Sequence, residues 1–396
     1  MSLENAPIIN ADSVTYSNTA ESEVSDPQKV RLQLSQYIAS TKKYEVNNVN
    51  DFDFNENLRQ AVQSLDAQVY PELIPDGSSG SYFIRGIDGT ILAVFKPKDE
   101  EPFAPLNPKW PKFFQKILCF CCFGRACLIP NHGYLSETGA SLVDCRLKFG
   151  IVPKTRIVKL CSPTFFYGRS CGRAIVPKAK EGSYQLFVHD HKSAATVLNE
   201  WNEVGLNNAL TLQEIHNFTV LFQKMCILDY IIRNTDRHMD NWLIRHVPGV
   251  EIRIAAIDNG LAFPIKHPET SSLFRQFPFN WSTLSWAHKP WDEKLRDNLI
   301  TELTPVTFVH NLCKELAVLF RHDKSYNHLL TLSQIRVVRG QLWNLRESLI
   351  AKESPFALIK RQPLLVARRY KKTPPSDDWE QCFKARIDEE DCRACC

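Results

Sequence analysis

No apolar run in this 396-residue chain is long enough to cross a bilayer as a helix. Ile117 to Gly124 is too short, and Val220 to Ile232 is interrupted by Lys224 and Asp229, so any membrane contact is expected to be peripheral. The start, MSLENAPIINADS, lacks the basic and then apolar segments of a secretory signal. The protein is therefore expected not to be secreted and to work in a reducing compartment, with its 13 cysteines mostly thiols. A formal net charge of +4 is too small at this size to point to nucleic acid, so no nucleic-acid partner is expected. No internal repeat is evident.

A 44% hydrophobic and 23% charged composition reads as globular, with length for one large or two modest domains. Residues 1–66 are expected to be disordered or weakly ordered: the first 28 or so are rich in Ser, Asn, Glu and Asp, and Val30 to Ala67 has room for a short helix or two although TKKYEVNNVNDFDFNEN is too polar for a core. At Ser81 the pattern changes to SYFIRGIDGTILAVFKPK, two β-type runs joined at Gly86 to Gly89, which predicts a hairpin. Phe218, Leu221, Phe222, Met225, Leu228 and Ile232 recur at helical spacing. Strand-like WLI and EIRIAAIDNG follow around HVPGV, and a mostly helical stretch runs from about Trp291 to Lys352. The expected fold class is α+β, β-rich first and helix-rich second.

Several of these elements carry residues suited to phosphate chemistry. Gly77, Ser78, Ser79, Gly80 and Ser81 precede a strand, where small residues let backbone N–H groups approach an anion; an ordinary turn would use the same residues. Lys96 ends the next strand, from which an ammonium can reach phosphates held under the turn. RNTDRHMDNW then offers Asp236, Arg237, His238, Asp240 and Asn241 between a helix and a strand, and AAIDNG places Asp258 after the partner strand. A hairpin would bring Asp258 alongside Asn241, two oxygen ligands for a hard cation. The ordered set is what is needed to hold ATP phosphates, bind magnesium and orient a hydroxyl, so a phosphotransferase is expected.

At this point the chain resembles the type II phosphatidylinositol 4-kinases. The resemblance runs from about Gly77 to Lys360 and rests on GSSGSYF, AVFKPK, EEPFAPLNPKW, GYLSETGASLVD, IVPKT, YQLFV, LDYIIRNTDR, DNWLI and AAIDNGLAFPIKHP. It implies a bilobal, protein-kinase-like fold, with an N-lobe over 67–188 that includes a Cys-rich insertion at about 104–130, a C-lobe over 189–360, and a tail over 361–396. Ser78, Ser79, Gly80, Ser81, Tyr82, Phe83 and Ile84 would form the nucleotide loop, Lys96 would bind phosphates, and Gln185, Leu186, Phe187 and Val188 would form the adenine hinge. Arg233 to Asn241 would be the catalytic loop, with Asp236, Arg237, His238 and Asn241 as its catalytic groups. Asn241 and Asp258 would hold Mg-ATP, with manganese as an alternative ion, and Glu101, Pro102 and Phe103 would meet substrate. The implied reaction is phosphorylation of the 4-hydroxyl of phosphatidylinositol at the cytoplasmic face of internal membranes (Golgi, trans-Golgi network, endosomes), with a cytosolic pool. DRHMDN matches the DRHxxN of the wider phosphoinositide kinase superfamily, which leaves both Asp236 and His238 as candidate bases.

A bilayer substrate requires a membrane-facing surface. KWPKFFQKILCFCCFGR interleaves Lys109, Lys112, Lys116 and Arg125 with Trp110, Phe113, Phe114 and Phe123, a mixture suited to an anionic interface. Phe277, Phe279 and Trp281, with Arg275, form a second candidate, for which core packing is the competing reading. The spacing of Cys119, Cys121, Cys122 and Cys127 lacks the second matching pair of a zinc site, leaving buried thiols or S-acylation. Type II kinases can carry a palmitoylated CCPCC here; this chain has Leu118-Cys119-Phe120-Cys121-Cys122. The terminal Cys395-Cys396 has acidic neighbours rather than the basic run of a prenylation site. The alternatives are a kinase for a protein or small polar substrate, or a weakly catalytic kinase-fold membrane adaptor.

Overall fold

A computed structural model describes residues 51–77, 79–102, 104, 106, 126–168, 177–270, 276–369 and 376–388. The chain is a mixed α/β protein that divides into two compact units, residues 1–115 with 154–187, and residues 116–153 with 188–396. Ser78, Phe103, Lys109, Trp110, Phe113, Phe114, Cys119, Cys121 and Cys122, named above as site residues, lie outside the described residues.

The first unit is built on a five-stranded antiparallel sheet. Its strands are β1 (Glu72–Leu73), β2 (Tyr82–Arg85), β3 (Ile91–Pro97), β4 (Thr155–Leu160) and β5 (Lys180–Leu186), in the order β1-β2-β3-β5-β4. The expected β2–β3 hairpin is present, closed by the Gly86 and Gly89 amides. Helix α1 (Phe52–Asp66) puts an ordered, core-forming element where a weakly ordered stretch too polar for a core was expected. Phe54, Leu58, Ala61 and Leu65, at spacings of four, three and four, join Tyr82, Ile84, Ala93, Phe95 and Tyr184 in one core. Asp51 caps the helix by accepting from the Phe54 amide at 3.2 Å.

The second unit contains α2 (Gly133–Leu147), β6 (Lys192–Ser193), α3 (Ala194–Val204), α4 (Leu212–Ile232), β7 (Trp242–Val247) and β8 (Glu251–Ala256). These are followed by α5 (Glu293–Leu303), α6 (Val306–Phe320), α7 (His328–Ile350), β9 (Leu364–Arg368) and β10 (Phe383–Ile387). β6, β7 and β8 form a three-stranded antiparallel sheet, and β9 pairs with β10. α4 starts with a reciprocal cap between Thr211 and Glu214 and ends at Arg233, whose left-handed backbone (φ 45°) turns the chain.

Phe277, Phe279 and Trp281 keep only 7%, 5% and 1% of their surface, which corrects their reading as a membrane face. Trp281 packs edge-to-face on Phe222, and Phe218 stacks on Trp242, so this aromatic stretch belongs to the interior around α4.

Candidate active site

In the first unit the alternation of β2 and β3 decides which predicted nucleotide residues can use their side chains. Tyr82 and Ile84, placed in the expected nucleotide loop, point their side chains into the α1 core, so their backbone is what they can offer a nucleotide. Phe83, Val94 and Gln185 are cross-strand partners on the opposite face, and Lys96 pairs with Ser183 on that same face. Gln185 donates from Nε2 to Thr155 Oγ1 at 2.9 Å, and Phe83 meets Phe187 edge-to-face at 6.0 Å. Leu186 ends β5 in this unit, whereas Val188 begins the last segment of the other.

The loop ahead of β2 is anchored at both ends. Ile74 N–H donates to the Ser81 carbonyl at 2.8 Å, and Gly80 N–H donates to the Glu100 carbonyl at 3.0 Å. Gly77 has φ +79°, a conformation glycine takes without strain. Beside Gly80, Glu101 is 7% exposed and Pro102 half-buried.

The second unit holds the catalytic-loop candidates. The Asp236 amide donates to Asn234 Oδ1 at 2.8 Å, and Asn241 Nδ2 donates to the Asp236 carbonyl at 2.8 Å. Asp236 and Asn241 are therefore held by the same short loop. His238 is half-exposed, its Nδ1 3.8 Å from Asp240 Oδ2 and accepting from the Asp240 amide at 3.3 Å.

Arg237 has no exposed side-chain surface and reads as a brace, which corrects its place among the catalytic groups. Its Nε reaches both Asp229 carboxyl oxygens at 3.1 Å, and its remaining nitrogens donate to the carbonyls of Asn241 and Ile257 and to Asn259 Oδ1. Asp229 also accepts from Trp281 Nε1 at 3.1 Å. Burial pushes the Asp229 carboxyl upward, against the pull of the Arg237 guanidinium and the Trp281 and Asn234 donors.

The β7–β8 register pairs Trp242 with Ala256, and the Ile257 amide donates to the Asn241 carbonyl at 3.1 Å. Asn241 and Asp258 thus flank the same end of one hairpin, as the spacing predicts. Asp258 is exposed and left-handed (φ 52°), a conformation that Asp adopts more readily than most residues. Its neighbour Asn259 is fully buried, its amide donating to Glu137 Oε2 on α2 at 3.0 Å.

These oxygens fit a hard divalent cation. Asn241 donates from Nδ2 to the Asp236 carbonyl, so its amide oxygen and the Asp258 carboxylate are the oxygen groups at this end of the hairpin. No group of three or more His, Cys, Asp or Glu that could hold a metal occurs among the described residues. An ion held by two side-chain oxygens takes its other ligands from phosphate and water, which is the usual situation of magnesium.

Asp229, Glu137, Glu100 and Lys180 were missed by sequence reasoning. Asp229 carried a signal, a carboxylate inside the apolar run CILDYII, where only a paired charge is tolerated.

The model of the family described as phosphatidylinositol 3- and 4-kinase matches residues 84–339. A phosphatidylinositol 4-kinase type 2-beta of Gallus gallus is 40% identical over 358 residues, 81% of this chain and 73% of its own. The type 2-beta protein of Rattus norvegicus is 40% identical over 385 residues, 87% of this chain and 79% of its own. A type 2-alpha protein of Danio rerio is 39% identical over 377 residues, with shares of 85% and 82%.

Proposed function

Because this chain belongs to the phosphatidylinositol 3- and 4-kinase family, among the type 2 phosphatidylinositol 4-kinases, we propose that it transfers the γ-phosphoryl group of ATP to the 4-hydroxyl of phosphatidylinositol. The products are phosphatidylinositol 4-phosphate and ADP. The observation that carries this reading is the identity of about 40% to such kinases over four-fifths of the chain. A kinase-like bilobal arrangement, with the two compact units as its lobes, belongs to the same reading.

In the step itself, the 4-hydroxyl oxygen bonds to the γ-phosphorus, the bond to the β,γ-bridging oxygen breaks, and the hydroxyl proton passes to Asp236. The bonds from the Asp236 amide to Asn234 and from Asn241 to the Asp236 carbonyl fix the backbone that carries this carboxylate, which favours Asp236 as the base. Lys96 binds the phosphates, while Asn241 and Asp258 hold the divalent metal that the kinase reaction uses, magnesium in this proposal. A bound cation supplies neutralisation of the charge on the phosphates as it shifts in a loose transition state. Glu101 and Pro102 contribute to the lipid side of the reaction.

The substrate is a bilayer lipid, so the proposed place of work is the cytoplasmic face of internal membranes, Golgi and endosomes among them. Lys109, Trp110, Phe113 and Phe114 are the proposed contacts, and Cys119, Cys121 and Cys122 the proposed acyl acceptors. The deciding experiment is transfer from labelled ATP to phosphatidylinositol vesicles with headgroup analysis. We expect label at the 4-position with intact protein and none with Asp258→Ala; ATP binding with no transfer by the intact protein would defeat the reading.

A further inference from the structure

A buried ion pair lies behind the small-residue loop of the first unit. Glu100 has no exposed surface and Lys180 only 3%. Lys180 Nζ is 2.8 Å from Glu100 Oε1 and 2.9 Å from Asp99 Oδ1, and it donates to the Phe166 carbonyl at 2.6 Å. The other Glu100 oxygen accepts from Tyr82 Oη at 2.7 Å, and Oε1 also accepts from the Phe166 amide at 3.2 Å. Burial pushes the Glu100 carboxyl upward, and Lys180 and Tyr82 pull it back.

Such a pair is poor value as a source of stability, since apolar residues of similar volume commonly serve as well. What it does here is fix a position. The Glu100 carbonyl receives the Gly80 amide, and a Cβ on Gly80 would lie 2.2 Å from Glu100 Oε2, so the loop rests directly on the carboxylate. Glu100 is also followed by Glu101 and Pro102. Neither charge reaches solvent, so neither can touch nucleotide or lipid.

We propose that Lys180 and Glu100 are positioning residues for ATP: the ammonium locks the carboxylate, and the locked carboxylate sets the height of the Gly80 backbone in the phosphate loop. The proposal rests on the kinase reading above. It follows that loosening the pair weakens ATP binding more than lipid binding.

The test measures kcat, the KM for ATP and the KM for phosphatidylinositol, with thermal unfolding alongside, for Lys180→Met, Lys180→Arg and Gly80→Ala. Lys180→Met should raise the KM for ATP about tenfold, with the lipid KM held within about twofold, and Lys180→Arg should recover part of the loss. Gly80→Ala leaves Lys180 and Glu100 in the sequence but drives a Cβ against the Glu100 side chain, separating loop from carboxylate, so it should show the same selective rise even if Lys180→Met fails to fold. A lowered melting temperature with an unchanged KM for ATP in the folded variants, or equal rises for both substrates, overturns the proposal. If wild-type protein transfers nothing to lipid, the functional reading fails, and the Kd for a fluorescent ATP analogue decides this inference: about tenfold weaker binding in Gly80→Ala supports it, and unchanged binding overturns it.

Discussion

Asp236 and His238 stand two positions apart on one loop, in different surroundings. Both backbones are held within the loop, Asp236 by the Asn234 and Asn241 side chains and His238 by the Asp236 carbonyl and the Asn241 amide, while the His238 imidazole faces the neighbouring Asp240. Asp236→Asn is expected to lower kcat by roughly 10²–10⁴-fold, and His238→Ala by less than about tenfold, in initial rates on phosphatidylinositol vesicles. The reverse order would assign the base to His238. Asp144 gives a second prediction, this time of stability. Burial lifts its carboxyl from 3.8 to about 6, while the amides of Ile151, Val152 and Gly150 pull it down. A carboxyl whose pKa is higher in the folded than in the unfolded state stabilises fully below the unfolded value. That contribution is lost as pH rises from about 4 to about 6, on the order of 2–3 kcal/mol. Urea unfolding across that window should show wild-type stability falling relative to Asp144→Asn, whose difference from wild type should be flat above about pH 7.

At the scale of elements, close approach without a side chain explains one position that propensity alone would reject. Gly340 sits inside α7, where glycine costs about 1 kcal/mol against alanine. A Cβ there would lie 1.7 Å from the Leu364 carbonyl oxygen, so the glycine lets β9 lie directly on the helix. Gly340→Ala should therefore destabilise the protein by a net of about 2 kcal/mol, overpacking outweighing the helix gain; a higher melting temperature would show that β9 yields freely. The β2–β3 hairpin, α4 and the β7–β8 pair were legible because each writes its period or its turn into adjacent residues. α1 was not, because its four core residues are diluted among polar ones and their value depends on a sheet formed later in the chain. For the same reason the sequence left open whether Trp281 belongs to a surface or to the core. Its indole donates to Asp229, 52 positions earlier, a partnership that no local pattern encodes. Arg237 misled in the opposite direction: its place in a polar loop suggests chemistry, while oxygens of Asp229, Asn241, Ile257 and Asn259 hold it inside.

For the molecule as a whole, the remaining question is how a protein with no helix among its described residues long and apolar enough to cross a membrane reaches a lipid substrate. The formal charge of +4 is too weak to attract a bilayer by itself. Lys109, Lys112, Lys116 and Arg125, however, fall within 17 positions and alternate with aromatics. Each cation near an anionic surface contributes about 1 kcal/mol and is screened by salt. Replacing Lys109, Lys112 and Lys116 by alanine should then weaken co-sedimentation with phosphatidylserine vesicles by about 10- to 100-fold. Turnover on detergent-dispersed phosphatidylinositol should stay near wild type, because none of the three belongs to the proposed reaction machinery. The wild-type protein should also detach progressively as salt rises. Binding that ignores both salt and the substitutions would transfer the anchoring role to apolar contact or to acyl chains on Cys119, Cys121 and Cys122. Hydroxylamine, which cleaves thioesters, distinguishes those two: acyl anchoring is lost on treatment, and aromatic insertion survives it.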